Sequence, residues 1–462
     1  MAIDIIGLYR QAYRGLPRRA WILFAVNLVN SSGAMVIFFL SLYLTRKLGF
    51  SPARAGQALS LYGVGSLAGA FLGGWLADRI GSITTQKASL AACGVLLVFL
   101  GQVRSAGAIL PLLFSLALAA GALYPANATS MSRICPPELR VKGFALNRLA
   151  NNLGATIGPA VGGVLALRDY RLLFWADGLT SLAAAAVFVL VWRASKGRGM
   201  DGRLVSEAGL GEAGRPGPDE YPERLDSRRD GAPAGERAEA RVEVEAKATA
   251  KAEQEVSTAP GGSPAVAKAR SPWRDRPFLL LMLIFLLWSA VFIQFLTTFP
   301  LYMKNIYGLA ENRIGQLFAV NTVLIVLLEM ILMEKIRKYP LVRMINLSFI
   351  LLGVGFGLMP LGRSFAFAAF AVAIVTFGEM LSMPLVTALI AGRADDANRG
   401  RYMGMFSFSF SLAFIISPAA GTAIYERFGG DAVWIVCAAV CLLLAVAFSA
   451  LRSRLHPEAL RK

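Results

Sequence analysis

Apolar residues in this chain gather into about twelve long blocks, with most of the charge in the stretches between them. The first six blocks run near 20–44, 53–77, 84–103, 108–131, 143–166 and 171–193. The second six run near 278–302, 312–335, 341–361, 365–391, 402–425 and 431–451. Each is long enough to cross a hydrocarbon layer about 30 Å thick, which takes roughly 20 residues of helix. Only helices or closed barrels satisfy backbone groups in lipid, and these blocks lack the two-residue alternation of a barrel strand. The pattern predicts an all-α polytopic membrane protein with twelve transmembrane helices.

The blocks also repeat. Sliding the chain by 259 residues places Tyr43 on Tyr302, Gly56 and Gln57 on Gly315 and Gln316, Pro125 on Pro384, and Arg140 on Arg399. In the same register Lys142 falls on Arg401, Pro159 on Pro418, Gly162 on Gly421 and Trp175 on Trp434. Low-complexity apolar sequence rarely matches prolines, tryptophans and loop cations together by chance. Six crossings return the chain to its starting side, so the two halves, 1–194 and 272–462, are expected to be parallel and pseudo-symmetric about an axis along the membrane normal. Between them, 195–271 is rich in Ala, Gly, Pro, Glu and Arg and almost free of aromatic and large aliphatic residues. Such a segment buries too little apolar surface to offset its chain entropy. It reads as a disordered cytoplasmic linker, a tether first and a regulatory or partner-binding segment as the alternative.

Composition agrees with the pattern. The 462 residues are 56% hydrophobic and 16% charged, with mean hydropathy +0.56. That is too little charge to cover a soluble protein of this length. With both termini cytoplasmic, about twenty basic residues fall on inner segments and about ten on outer ones, in keeping with the positive-inside rule. The formal charge of +18 is then an expression of topology and of affinity for anionic membrane lipids. It is spread over many loops, so nucleic acid is not an expected partner. Arg10, Arg14, Arg18 and Arg19 precede a full-length span, so no cleavable leader is expected. Ile3–Tyr13 spaces Ile3, Ile6, Tyr9 and Tyr13 near one helical turn, as either a surface-lying amphipathic helix or a polar leader.

Catalytic constellations are missing from the sequence. The single histidine is His456, and Cys93, Cys135, Cys437 and Cys441 form no C-x-x-C pair. There is no Walker loop. An enzyme, an ATP-driven pump, a metal site and a cofactor are therefore not expected.

Two motifs carry a family resemblance. Gly74-Trp75-Leu76-Ala77-Asp78-Arg79-Ile80-Gly81 resembles the G-x-L-a-D-r-x-G signature of the major facilitator superfamily. Gly154-Ala155-Thr156-Ile157-Gly158-Pro159-Ala160-Val161-Gly162-Gly163 is similar to the G-x-x-x-G-P-x-x-G-G element of proton-coupled antiporters in its drug/proton branch. The resemblance implies alternating access by two rocking halves, a monomer, and residence in the inner membrane of a bacterium. It makes Gly74, Asp78, Arg79 and Gly81 a latch between the halves. It makes Gly154, Gly158, Pro159, Gly162 and Gly163 a seal on one side. Residue chemistry alone allows plainer roles: a capped turn for the first motif, and close helix packing with a bend at Pro159 for the second.

In this fold the first, fourth, seventh and tenth helices are expected to line the substrate cavity. They supply Asn27 and Asn30, then Tyr124 and Asn127, then Trp288, Gln294, Thr298 and Tyr302. Such a mixture of polar handles and aromatic faces suits small amphipathic organic substrates, although the same polar groups also bond helix to helix. Charge in hydrocarbon is costly and usually purposeful. Glu379, amid the tenth helix, is therefore the leading proton-coupling candidate, and Glu329 in the eighth is the second, with pairing to a cation or reach toward water as its plainer reading. Asp177 reads as a helix cap or a partner of Arg171, and Arg148 as a partner of Glu138 or Asp78, with attraction of an anionic substrate as the alternative. Under the repeat Glu379 falls opposite Ala120 and Glu329 opposite Ala70, so the buried acids are expected in the second half. The fourth helix departs from the antiporter pattern, because it holds no basic residue before Arg133. Proton-coupled efflux is the leading reading. Import or facilitation of peptides, organic anions or other metabolites is a second, and a sensor signalling through the linker a third.

Overall fold

The structure is a computed structural model that describes residues 13–103, 105–196, 272–394 and 398–451. The expected linker, the segment before Tyr13 and His456 lie outside the described residues. The first half comprises α1 (Arg18–Gly33), α2 (Val36–Leu42), α3 (Pro52–Leu76), α4 (Ser82–Leu100), α5 (Ala106–Ile134), α6 (Arg140–Arg168) and α7 (Arg171–Lys196). The second comprises α8 (Arg276–Thr297), α9 (Phe299–Asn305), α10 (Glu311–Ile336), α11 (Leu341–Leu358), α12 (Phe365–Arg393), α13 (Arg399–Phe428) and α14 (Gly430–Leu451). Helices α10 to α14 each begin 259 residues after α3 to α7. The register of the sequence repeat is thus the register of the helices.

Ten helical stretches among the described residues are long and apolar enough to cross a membrane, one of them holding both α3 and α4. Helix α6 is not among the ten, because Asn147, Arg148, Asn151 and Asn152 make it more polar. It nonetheless runs 29 residues beside α1 and completes the set of twelve spans in two six-helix halves.

The first and seventh spans are each made of two helices, a feature that hydropathy does not reveal. Span one breaks after Ser31-Ser32-Gly33, all weaker helix formers than the leucines around them, with Ala34 outside helical geometry. Span seven breaks at Thr298, where Pro300 in the first turn of α9 has no amide for the preceding helix.

The seams between the halves are α6 against α10 and α3 against α13. They carry a reciprocal contact. A side chain at Gly56 would collide with the Pro418 carbonyl, and one at Gly315 with the Pro159 carbonyl. Gly56 and Gly315 are repeat equivalents, and so are Pro159 and Pro418. In lipid, apolar surface gives little drive for helices to associate, so close backbone approach at small residues supplies the contact energy. The face on which α1 and α8 begin is here called the terminal face, and its opposite the far face. One buried core cluster draws on both halves and lies largely toward the far face in the first half. A separate cluster around Leu23, Leu90, Leu146 and Phe188 belongs to the first half alone, toward the terminal face.

Candidate functional site

The far face is closed across the pseudo-symmetry axis. Phe38 meets Phe318 edge-on with ring centroids 4.9 Å apart, and Phe295 and Phe299 pack on the same ring at 5.3 and 5.6 Å. Above this aromatic layer Arg46 donates to Asn305, and the Ala53 amide donates to Glu426 at 2.7 Å. The Tyr170 hydroxyl donates to Glu311 at 2.7 Å, and Lys304 pairs with the other oxygen of that carboxylate at 3.0 Å. Each of these bonds except the last joins one half to the other.

Toward the terminal face the halves part around a cavity of about 470 Å³. Its walls include Arg148, Leu149 and Asn152 of α6, Glu329 and Met333 of α10, and Pro384 of α12. Arg148 and Glu329 form an ion pair across the cavity, with the Glu329 side chain 14% exposed and that of Arg148 49%. Neither Glu138 nor Asp78 partners Arg148, so the sequence-based pairing is corrected: the partner comes from the opposite half. Glu379 lies one helix further in and is half-buried. Asn321 of α10 donates to its carboxylate at 2.8 Å and to the Thr376 hydroxyl at 3.0 Å. Glu329 and Arg148 are within electrostatic reach of Glu379. Three ionisable groups on three helices from both halves thus share one charge environment, with two carboxylates for one guanidinium.

Most of the residues expected to line the substrate cavity make bonds from helix to helix. Asn27 donates to Asn147 at 2.9 Å and Asn151 at 2.7 Å, tying α1 to α6. Asn127 donates to Gln86 at 3.4 Å between α5 and α4. Gln294 donates to the Ser417 carbonyl and hydroxyl at 2.7 and 2.6 Å and accepts from Thr298 at 2.6 Å, tying α8 to α13. Tyr302 is buried and bonds Asp431, which Arg363 also holds at 2.9 Å. Trp288 is buried between Phe285 and Phe292, its indole N–H without a partner among the described residues. Tyr124 is 75% exposed. Asn30 lines a smaller cavity inside the first half.

The two motifs occupy distinct places. Residues Ala77–Gly81 form a π turn on the terminal face, and Gly81 takes φ +88°, a backbone conformation that favours glycine. The Arg79 guanidinium lies 4.7 Å from the centre of the Trp75 ring. Asp78 is exposed and makes no ion pair among the described residues. On α6, Gly154, Gly158 and Gly162 follow the break in span one, their would-be side chains meeting Ser31, Ala34 and Met35. Pro159 and Gly163 face the other way, against Gly315 and Glu311 of α10. One helix therefore packs on its own half by one row and on the opposite half by the next.

Asp177, read from the sequence as a helix cap or a partner of Arg171, proves to be a buried acid of the first half. Asp177 of α7 is 8% exposed. It caps the break in span one, accepting from the Met35 and Val36 amides at 3.3 Å each, and Arg171 does not pair with it. The expectation that buried acids belong to the second half is corrected accordingly. The signal available in the sequence was the acid itself within an apolar block. Its partners are backbone amides, and those leave no mark in the sequence.

Comparison with known proteins places this geometry. A family model described as Major Facilitator Superfamily matches residues 22–397 and 338–462. A Na(+), Li(+), K(+)/H(+) antiporter of Planococcus maritimus is 24% identical over 409 residues, covering 84% of this chain and 85% of that one. An MFS-type transporter of Bacillus subtilis (strain 168), YttB, described as uncharacterized, is 24% identical over 438 residues and 94% of each chain. Among solved structures, a peptide transporter POT in complex with sulfate superimposes with TM-score 0.69 at 18% identity, over 98% of this chain and 99% of that one. A POT family transporter in complex with 5-aminolevulinic acid gives 0.70 at 15%, over 96% and 97%. These likenesses show the fold. With the helical repeat, the terminal-face cavity and the matching family model in agreement, the chain belongs to the major facilitator superfamily of multi-pass membrane transporters.

Proposed function

We propose that this transporter is a proton-coupled antiporter exporting small amphipathic organic compounds by alternating access. The observation that carries the reading is the Arg148–Glu329 pair lining a cavity formed by both halves, with Glu379 buried behind it within electrostatic reach. Two carboxylates and one guanidinium leave one negative charge in excess when all are ionised. Moving that excess charge through a closed, dry intermediate is costly. One proton, or one cationic group of a cargo molecule, cancels it. Proton and cargo then neutralise the same cluster in turn, which is the logic of exchange. Leu149, Ile325, Met330 and Met333 in the wall suit the apolar part of such a cargo. The antiporter named among the relatives supports proton exchange, and the same excess charge makes alkali cations the second cargo class to test.

In this reading the terminal face is cytoplasmic, as the basic residues suggest. The basic surface meets anionic lipid, the segment 195–271 tethers two six-helix halves, and the chain works as a monomer in a bacterial plasma membrane. Reconstitution into liposomes with an imposed pH gradient, a panel of amphipathic cations and neutral compounds, and Na+, Li+ and K+ as a separate arm tests it. The expected result is that an organic cargo crosses against a measured proton flux. Counterflow of cargo with no proton movement contradicts the proposal and favours a facilitator.

A further inference from the structure

We propose that the first half holds a second ion site, for a small monovalent metal cation, formed by Asp177 and the cavity of about 120 Å³ beside it. The inference is independent of the cargo and of Glu379. Asp177 is almost fully buried inside a membrane-spanning helix. Its Oδ2 accepts two long amide hydrogen bonds, and its Oδ1 takes none among the described residues. Asn30 of α1, Tyr62 of α3, Cys93 of α4 and Ser181 of α7 share the cavity wall with it, while α2 and α5 contribute apolar side chains. The titratable groups facing the carboxylate are thus Tyr62 and Cys93, and no lysine or arginine lines the cavity. Among the described residues the carboxylate's only donors are those two amides, with no cationic side chain on the cavity, and a buried charge without a counter-ion is strongly unfavourable.

Three features give the ligand its class. Asp177, the Asn30 carboxamide, the Ser181 hydroxyl and the Tyr62 phenol offer oxygen donors, the set preferred by hard cations. The cavity has a single carboxylate, and no group of three or more His, Cys, Asp or Glu among the described residues could hold a metal ion. One negative charge balances one positive charge, so the site matches an alkali ion in place of a divalent one. The Ser181 hydroxyl already donates to the Asn30 side-chain oxygen at 3.3 Å, which orients that oxygen's neighbourhood without a cation present. The cavity also has room for water beside an ion, since one water occupies about 30 Å³ of liquid. The site sits against the break between α1 and α2, so an ion there would tie α7 to the discontinuity in span one.

The test is equilibrium binding of Na+, Li+ and K+ to the purified full chain by calorimetry, with choline as the control cation. At about pH 8.5 the expected result is one site per chain for at least one alkali ion, with affinity falling tenfold or more by about pH 6 as protons compete for the carboxylate. Asp177→Asn is expected to abolish binding. Glu379→Gln is expected to retain it, so this inference and the proposed function fail separately. If Asp177→Asn does not fold, the double variant Asn30→Ala/Ser181→Ala keeps the carboxylate and should weaken binding about tenfold. No alkali binding by the wild type, wild-type binding in Asp177→Asn, or unchanged affinity in the double variant each overturns the proposal.

Discussion

Arg46 donates a hydrogen bond to Asn305, and the two residues are separated by 259 positions, the period of the repeat. Equivalent residues of the two halves therefore meet each other on the pseudo-symmetry axis, at the far face. Asn305 in turn donates to the Tyr425 hydroxyl at 3.2 Å, so the contact is anchored in the second half. A bond on the axis is broken whenever the halves rock apart on that side. Removing it should favour the far-open state by about 1 kcal/mol, roughly a fivefold shift in population. Spin-label distances between the far-face ends of α3 and α13 check this in Arg46→Ala and Asn305→Ala. The double variant should add little to either single change, because both remove one shared bond.

The reciprocal glycines make a paired prediction. Gly56→Ala and Gly315→Ala each drive a methyl group into a proline carbonyl of the opposite half. Each should cost about 1–3 kcal/mol in the far-closed state and lower the thermal midpoint in detergent. Gly74→Ala is the control, since nothing lies within 4 Å of a side chain there. It should leave stability within about 0.5 kcal/mol.

Much of this architecture was legible in the chain, because lipid forces both the length of each apolar block and the internal pairing of its backbone. The helix starts follow the repeat more closely than the apolar blocks did, as Ser82 and Leu341 or Ala106 and Phe365 illustrate. Side-chain neighbours were harder. Trp175 and Trp434 are matched in the repeat, yet the first is 40% exposed and the second fully buried. Equivalent backbone positions do not guarantee equivalent surroundings. Arg148 and Glu329 lie 181 residues apart and in different halves, so nothing local in either segment announces the pair. The polar residues of the first and seventh spans were sorted by residue type, whereas helix rotation decides whether Gln294 meets substrate or Ser417.

A pH-dependent clasp holds the terminal end of the second half. Arg393 grips the Asp275 carboxylate with two hydrogen bonds of 2.7 and 2.8 Å, and Tyr402 adds one at 3.0 Å. The same carboxylate caps α8 through the Phe278 amide at 3.2 Å. Burial pushes the Asp275 carboxyl up, but Arg393, the Phe278 amide and Tyr402 outweigh it and hold it below the usual carboxylate range. A depressed carboxyl contributes stability that is complete above its unfolded pKa, about 3.9, and that is lost as pH falls through the folded value. Asp275→Asn should therefore lower stability by about 1–3 kcal/mol near neutral pH. The difference from wild type should narrow once pH drops below about 4. Thermal unfolding across that range gives the comparison.

The Arg148–Glu329 pair should act through position as well as charge. Arg148 is half exposed, so screening keeps the pair's contribution to stability small, about 0–1 kcal/mol. Its effect should show in transport. Glu329→Gln is expected to reduce proton-driven exchange, and the charge-swapped double variant Arg148→Glu/Glu329→Arg to recover more activity than either single swap. Uptake assays at high and low salt separate this from a general electrostatic effect.

The most direct measurement is transport by Glu379→Gln in liposomes, read in two modes. Glutamine keeps the size of the side chain and can still accept from Asn321, but it cannot take up a proton. If proton coupling runs through Glu379, gradient-driven accumulation is lost while cargo counterflow persists. Full gradient-driven transport by the variant would contradict the account.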